Sequence, residues 1–277
     1  MNHSLHDVCS NAYIVAHREN TDHLWRALQS EGFSVTEVRG PYSDTQLQFS
    51  SIYKTFVNHA NAWRLVVSSD QYSMIVEADF VPVLGLGSLP LPLPFEHIAS
   101  TISYLYACGP QFWDVDPSLY FARGHAGAMV AYTLSPRVAR LLLQFFDEKC
   151  QANPTGVYEP WDAELGYWLK ARGVESYLPF RQYGEHGGIS NPEHSSAGLG
   201  RPHQADVLVN SLHFMPLYAG NRFSRYLAIR MRARIWGWIR LLAGRSLAFH
   251  DVYRTEPMDM LRFAVGRLLR LPNYRPL

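Results

Sequence analysis

The chain has 277 residues, of which 47% are hydrophobic and 18% are charged, and its formal net charge is +1. This composition excludes a largely disordered protein, and the length suits one large α/β domain or one domain with an appendage. The near-zero charge conceals a split, because residues 221–277 contain twelve arginines and three acids, a balance of +9 against −8 in residues 1–220. An acidic body with a basic tail indicates a charged partner for the tail.

The cysteines and the first residues bear on the compartment. Cys9, Cys108 and Cys150 are far apart and odd in number, so we expect neither a disulfide framework nor a zinc site. Residues 1–20 lack a basic segment followed by an apolar one, so we expect no signal peptide. No run of about 18 apolar residues occurs, so we expect no membrane-spanning helix. These features predict a cytoplasmic protein in a reducing compartment.

Hydrophobic periodicity predicts a βαβ opening. An apolar run at 12–16 predicts a strand, apolar residues three and four apart predict a helix over 22–31, and alternation over 33–38 predicts a second strand. A βαβ opening favours a parallel sheet in an α/β fold. The further predicted elements are helices at 52–69, 136–149 and 161–172, strands at 72–76, 102–107, 128–134 and 176–178, and a polar, glycine-rich loop at 184–200.

Two acids follow the buried strand at 72–76. Residues two apart on an extended chain point the same way, so Glu77 and Asp79 can converge on one ion or one ribose. In an open α/β sheet, ligands bind beyond the carboxyl ends of the strands. A divalent cation held by carboxylates would neutralise the charge on a diphosphate leaving group. The alternative is that these acids only begin a solvated loop.

The segment around these acids resembles glycosyltransferase family 25, the lipopolysaccharide-biosynthesis group. That family has a Ser-His-x-x-x-Trp-like helix followed by an apolar strand that ends in Glu-Asp-Asp; residues 56–63 (FVNHANAW) and 75–79 (IVEAD) match this order. The chain departs from the pattern at Asn58, where Ser is usual, and at Ala78, which replaces the middle acid. Further blocks in the family's order, within residues 12–190, are His17 and Arg18, residues 131–135 with Ala139, Leu141 and Leu142, and Trp161 with Asp162.

The resemblance implies a GT-A type, Rossmann-like fold, a mostly parallel sheet flanked by helices. Residues 1–220 would form the catalytic domain and residues 221–277 a basic helical C-terminal extension. The implied activity is an inverting transfer of a sugar from a nucleotide-sugar donor to a hydroxyl of a lipopolysaccharide- or capsule-type glycan, with Mn²⁺ or Mg²⁺ as cofactor.

The same resemblance implies roles for single residues. Asp79 would be the chief metal ligand, and Glu77 would share the cation or hold the ribose. His17 and Arg18 would border the nucleotide, although Arg18 could equally be a surface charge. His59 would also belong to the donor site, its alternative being a packing histidine.

A second acidic group surrounds the predicted start of the helix at 161–172. An inverting transfer needs a carboxylate that takes the proton of the acceptor hydroxyl. Asp162, after a Pro-Trp turn, is the first candidate for this base, and Glu159 is a weaker one. The alternative for Asp162 is a helix cap, which would satisfy backbone N–H groups in the first turn.

The glycine-rich loop supplies a third group. Gly187 and Gly188 allow the backbone to approach the donor closely, and His186 could complete the metal sphere or contact the diphosphate. A merely solvated loop is the alternative.

Residues 222–245 mix seven arginines with aliphatic and aromatic residues. Arginine and tryptophan on an apolar helix are typical of a helix that binds anionic lipid, so we expect peripheral attachment to the inner face of the cytoplasmic membrane, where a lipid-linked glycan acceptor would lie. A core helix with extended arginines is the alternative. No nucleic-acid-binding motif accompanies the segment, so we expect no nucleic acid partner.

Two other functions remain open at this point. The missing acid at Ala78 keeps a catalytically inactive, membrane-docked assembly protein of glycan synthesis as one alternative. A metal-dependent nucleotidyltransferase or phosphohydrolase would use the same Glu-x-Asp pattern.

Overall fold

Helices pack on both faces of a large central sheet in the computed structural model, which describes residues 3–115, 121–189, 193, 204–247 and 255–269. The strands of the described residues are β1 (Asn11–Val15), β2 (Ser34–Val38), β3 (Ser73–Glu77), β4 (Phe80–Pro82), β5 (Thr101–Tyr104), β6 (Gln111–Val115), β7 (Phe121–His125), β8 (Ala131–Leu134), β9 (Glu175–Pro179) and β10 (Gly184–His186). The helices are α1 (Leu5–Val8), α2 (Asp22–Ser30), α3 (Asp44–Leu47), α4 (Ser51–Ser69), α5 (Pro136–Ala152), α6 (Asp162–Lys170), α7 (Phe223–Leu242) and α8 (Pro257–Leu269).

The central sheet has eight strands in the order β2-β1-β3-β8-β5-β9-β7-β6. β1 pairs in parallel with β2 and β3, and β5 pairs in parallel with β9. β8 is antiparallel to β3 and β5, and β7 is antiparallel to β9 and β6. Six of the eight strands therefore run in one direction, and the expected α/β class with a mostly parallel sheet flanked by helices is confirmed in this mixed form.

Alternating side chains of the central strands separate two layers of the core. Tyr13 and Val15 of β1 pack with α4 and α5 on one face, and Ala12 and Ile14 pack with α2 on the other. This alternation is what the pleat of a strand imposes. The predicted helices and strands up to residue 178 all occur, with boundaries shifted by a few residues.

The structure adds two pairs of strands that the sequence did not predict. β6 and β7 form an antiparallel pair at one edge of the sheet, where Asp114 and Arg123 make an ion pair at 3.4 Å. β4 and β10 form a separate two-stranded antiparallel sheet. The prediction of a loop over 184–200 is therefore wrong at its start, because residues 184–186 are a strand. Most of the remainder of that loop lies outside the described residues.

The C-terminal helices contact the body of the protein. On α8, Phe263 packs edge-on against Phe112 and Phe180, with ring centroids 5.2 and 5.0 Å away. Arg267 donates two hydrogen bonds to the carboxylate of Asp206, at 2.5 and 3.0 Å. Part of the predicted extension thus contributes to the core. No helix among the described residues is long and apolar enough to cross a membrane.

Candidate metal centre and its surroundings

The two acids predicted as metal ligands lie at the carboxyl end of a central strand. β1 and β3 run in parallel with Val15 opposite Glu77, and the N–H of Ala78 donates to the carbonyl oxygen of Val15 at 2.9 Å. The chain after β1 therefore leaves the sheet at the same level as Glu77 and Asp79. This is the edge at which open α/β sheets bind ligands.

A histidine from the small sheet joins these acids. One oxygen from each of Glu77 and Asp79 and one ring nitrogen of His186 all lie within 4.8 Å of one another. Nε2 of His186 is 2.9 Å from Oδ2 of Asp79. The other oxygen of Asp79, Oδ1, is buried and has no hydrogen-bond partner among the described residues. A buried carboxylate oxygen without a partner is costly unless a ligand completes it.

Local backbone structure explains why two glycines follow His186. His186 lies opposite Phe80 in the β10–β4 pair, and the N–H of Gly187 donates to the carbonyl oxygen of Asp79 at 2.8 Å. A Cβ atom at Gly188 would lie 2.1 Å from Oδ2 of Asp79. The loop after β10 therefore reaches the acids only because it lacks side chains at this point.

The charges around His186 favour its protonated form. Burial lowers the pKa of the imidazole, but the adjacent carboxylate of Asp79, together with Glu77 and Glu185, outweighs this and raises it to about 9. The imidazolium thus balances part of the negative charge of the cluster. A cation bound to the same groups would take over that balance.

His59 lies beneath the cluster rather than beside it. Its ring is fully buried, with Nε2 3.2 Å from Oε1 of Glu77 and Nδ1 2.9 Å from the hydroxyl of Tyr132. The same hydroxyl accepts a hydrogen bond from Nε1 of Trp63 at 2.8 Å. Both ring nitrogens are therefore engaged within the protein, and His59 contacts the site through Glu77.

Asp162 is the first residue of α6, beside the backbone N–H groups of the first turn. The N–H of Ala163 donates to the carbonyl oxygen of Pro160 at 3.1 Å. Burial, together with the charge of nearby Glu77, raises the pKa of this carboxyl to about 7, and the nearby N–H groups of Asp162 and Ala163 lower it by less. Trp161, stacked on Phe56 with centroids 4.3 Å apart, holds the start of the helix in place.

Glu159, the weaker candidate for the base, forms an ion pair with Lys149. Its Oε1 lies 2.8 Å from Nζ of Lys149, and its Oε2 accepts a hydrogen bond from Asn153 at 3.3 Å. The hydrogen bond from Lys149 lowers the pKa of this carboxyl. A carboxylate with a lowered pKa is a weaker proton acceptor, so the geometry favours Asp162 over Glu159.

The residues after β1 line the neighbouring end of the sheet. Nδ1 of His17 is 3.1 Å from the hydroxyl of Tyr42, and burial lowers the pKa of the ring. Arg18 is exposed, and its N–H and that of His17 both donate to Oε2 of Glu19. The turn is therefore built around Glu19, with the Arg18 side chain at the surface.

Asn58 and Tyr42 are site neighbours that the sequence did not single out as such. Asn58, which stands where the resembled family has Ser, donates to the carbonyl oxygen of Ala16 and to the hydroxyl of Tyr42, each at 2.7 Å. Its Oδ1 accepts from the N–H of Gly40 at 2.9 Å. One amide side chain thus joins the segments that follow β1 and β2. The Gly-Pro-Tyr sequence after β2 could have indicated a turn that brings Tyr42 close to the end of β1.

Comparison with known proteins adds no family to this geometry. Neither protein-family models nor curated proteins include a match to this chain.

Proposed function

We propose that this chain is a divalent-cation-dependent glycosyltransferase of the GT-A kind, which moves a sugar from a nucleotide-sugar donor to a hydroxyl of a cell-surface glycan. The observation that carries the proposal is the convergence of Glu77, Asp79 and His186 within 4.8 Å at the carboxyl end of β3. The resemblance of residues 56–63 and 75–79 to glycosyltransferase family 25 supports it independently.

The donor set suits a divalent cation. Two carboxylates and one imidazole are ligands that Mn²⁺ accepts, and carboxylates alone suit Mg²⁺. Oδ1 of Asp79, buried and without a hydrogen-bond partner in the part of the chain that the structure describes, is available as a further ligand atom. When bound, Mn²⁺ or Mg²⁺ would supply neutralisation of the negative charge that develops on a diphosphate leaving group. His59 would position Glu77 for this role through its hydrogen bond.

Asp162 is the proposed general base. The acceptor oxygen forms a bond to the anomeric carbon, the bond from that carbon to the donor's phosphate oxygen breaks with its electron pair, and the acceptor proton passes to Asp162. Attack from the face opposite the leaving group inverts the configuration. A carboxylate with a pKa of about 7 is half ionised near neutral pH and is a better proton acceptor than an ordinary aspartate.

The remaining predicted site residues would contact the nucleotide-sugar donor. The backbone of Gly187 and Gly188 lies against Asp79, where a diphosphate bound to the cation would contact it. His17 stands at the end of β1 and would border the nucleotide, with Arg18 at the outer edge. The acceptor is a glycan or lipid-linked glycan.

Identification of the products tests the proposal. The purified full chain is incubated with a panel of nucleotide sugars and Mn²⁺, and the products are identified by mass spectrometry. We expect a nucleoside diphosphate together with free or transferred sugar, and we expect this turnover to disappear in Asp79→Asn but not in Asp147→Asn, an exposed carboxylate on α5.

Other products would support the alternatives. A nucleoside monophosphate with a sugar phosphate would assign a phosphohydrolase. The absence of turnover with every donor, together with the absence of thermal stabilisation by any of them, would favour an inactive assembly protein. A donor present at a hundred times its Kd would stabilise the fold by about 2.7 kcal/mol, so its binding would be detected.

A further inference from the structure

An apolar strip runs along the outer face of α7. The helix has 20 residues and is therefore about 30 Å long. Six of its seven exposed large apolar side chains recur every third or fourth residue, which places them on one face, and Trp236 is the seventh. The six are Phe223, Leu227, Met231, Ile235, Ile239 and Leu242, with exposed fractions from 44% to 83%.

The opposite face of α7 is attached to the protein. Gly237 is buried so closely that a Cβ atom there would lie 2.9 Å from Cβ of Asp206. Arg230 forms an ion pair with the buried carboxylate of Glu185, and Arg234 donates to the carbonyl oxygen of Leu268 at 2.5 Å. These contacts fix the rotation of the helix, so the apolar strip faces away from the body.

The charges that remain exposed on this helix are positive. Arg225 and Arg232 are exposed on α7, and Arg222 and Arg245 are exposed just beyond its two ends. No aspartate or glutamate occurs from residue 207 to residue 250. The surface around the strip thus combines apolar side chains with arginines that form no ion pair among the described residues.

We infer that α7 lies flat on an anionic lipid bilayer, with the apolar strip in the boundary between headgroups and acyl chains. Arginines can lie along an apolar surface while their guanidinium groups bind lipid phosphates, and a half-exposed indole such as Trp236 favours the same boundary. Five arginines within the twenty residues suit a helix that lies in the interface rather than one that crosses it. This inference does not rest on the proposed reaction.

Charge distinguishes an anionic bilayer from the other partners that could cover this face of α7. A second copy docked through the same face would bring together two positive surfaces, which repel each other. A nucleic acid would pair its phosphates with the arginines, but the apolar strip would then lie against a charged phosphate backbone. Anionic lipid matches both the charge and the apolar area.

Sedimentation of the full chain with vesicles tests the inference. We expect binding to vesicles of phosphatidylcholine with phosphatidylglycerol, weakening with salt, and little binding to phosphatidylcholine alone. The double variant Arg225→Gln/Arg232→Gln should lower the partition coefficient at least tenfold. Its matched control is Arg137→Gln/Arg140→Gln, the same charge change on exposed positions of α5, which should bind as the parent does.

The apolar strip has its own variant. Met231→Gln/Ile235→Gln should also lower the partition coefficient at least tenfold, with an unchanged melting temperature because both side chains are exposed. In the unmodified chain, vesicles containing brominated lipid should quench part of the tryptophan fluorescence. That quenching should fall in Trp236→Phe.

Several results would overturn the inference. One is equal binding to neutral and anionic vesicles. Another is binding that neither Arg225→Gln/Arg232→Gln nor Met231→Gln/Ile235→Gln weakens, or that only one of them weakens. A third is a dimer in sedimentation velocity that Met231→Gln/Ile235→Gln dissociates. Tighter binding to duplex RNA or DNA than to anionic vesicles would overturn it in favour of a nucleic acid partner.

Discussion

Replacement of Asp162 by Asn should make the protein more stable and less active. The asparagine keeps the shape of the side chain and can still accept a backbone hydrogen bond, but it has no charge. The carboxyl of the wild-type protein has an ordinary pKa of 3.8 when unfolded and a pKa raised to about 7 when folded, chiefly by burial. The folded protein therefore binds this proton more tightly than the unfolded chain does.

The sign and size of the effect follow from this difference. Because the folded-state pKa is raised, ionisation of Asp162 removes stability from the wild-type protein as pH rises from about 4 to about 7. The asparagine variant loses no stability over this pH range from residue 162, because its side chain does not ionise. Between about pH 4.5 and about pH 8, the free energy of unfolding of Asp162→Asn should therefore gain roughly 3 kcal/mol relative to wild type, at about 1.36 kcal/mol per pKa unit.

Urea unfolding followed by circular dichroism, in chelator and at several pH values, measures this difference. Asp147→Asn, on an exposed face of α5, should show no such trend. Turnover of the same Asp162→Asn protein should fall by about 10²–10⁴-fold if the carboxylate is the base. A stability difference that does not change with pH would refute the reasoning about its environment. Unchanged turnover would assign the carboxylate to helix capping.

Three further substitutions probe the surroundings of the site. Gly188→Ala should abolish cation-dependent turnover, because its Cβ would displace the carboxylate of Asp79. The control Gly127→Ala should be tolerated, because the heavy atom nearest to its Cβ would be 3.5 Å away. Equal activities of the two variants would contradict the contact between Gly188 and Asp79. Tyr132→Phe should lower the free energy of unfolding by about 1–3 kcal/mol, measured by urea titration, since two buried ring nitrogens lose their partner. Glu159→Gln should leave the rate within about threefold of wild type in a product assay, because its ion pair makes it a weak base; a loss of about 10² or more would restore it as the base.

The parts of the fold that the sequence predicted are those governed by local pattern. The strand at 73–77 has an apolar centre of three residues, Met-Ile-Val, and the acids Glu77 and Asp79 could be assigned to its carboxyl end. Helix α4 likewise follows from the spacing of its apolar residues. Periodicity sufficed here because each element buries its own regular face.

The parts that escaped prediction depend on distant partners. β10 reads as a polar loop because Glu185 is an acid in its centre. Its burial is made tolerable by partners far along the chain, namely the Arg230 guanidinium, the N–H of Ala205 and the hydroxyl of Tyr218. The same limit applies to the count of basic residues in 221–277. Arg230 and Arg267 balance acids inside the protein, so the total of +9 overstates the charge that a partner would meet.

Binding of Mn²⁺ to the purified full chain tests most directly whether Glu77, Asp79 and His186 form a divalent-cation centre. Free aqueous Mn²⁺ is quantified from its electron paramagnetic resonance signal during titration with protein. We expect one saturable site in wild type and in Asp147→Asn, with the affinity lowered at least about tenfold in Asp79→Asn and in His186→Asn. Equal binding by wild type and Asp79→Asn, or no saturable site in wild type, would contradict a metal centre at these residues.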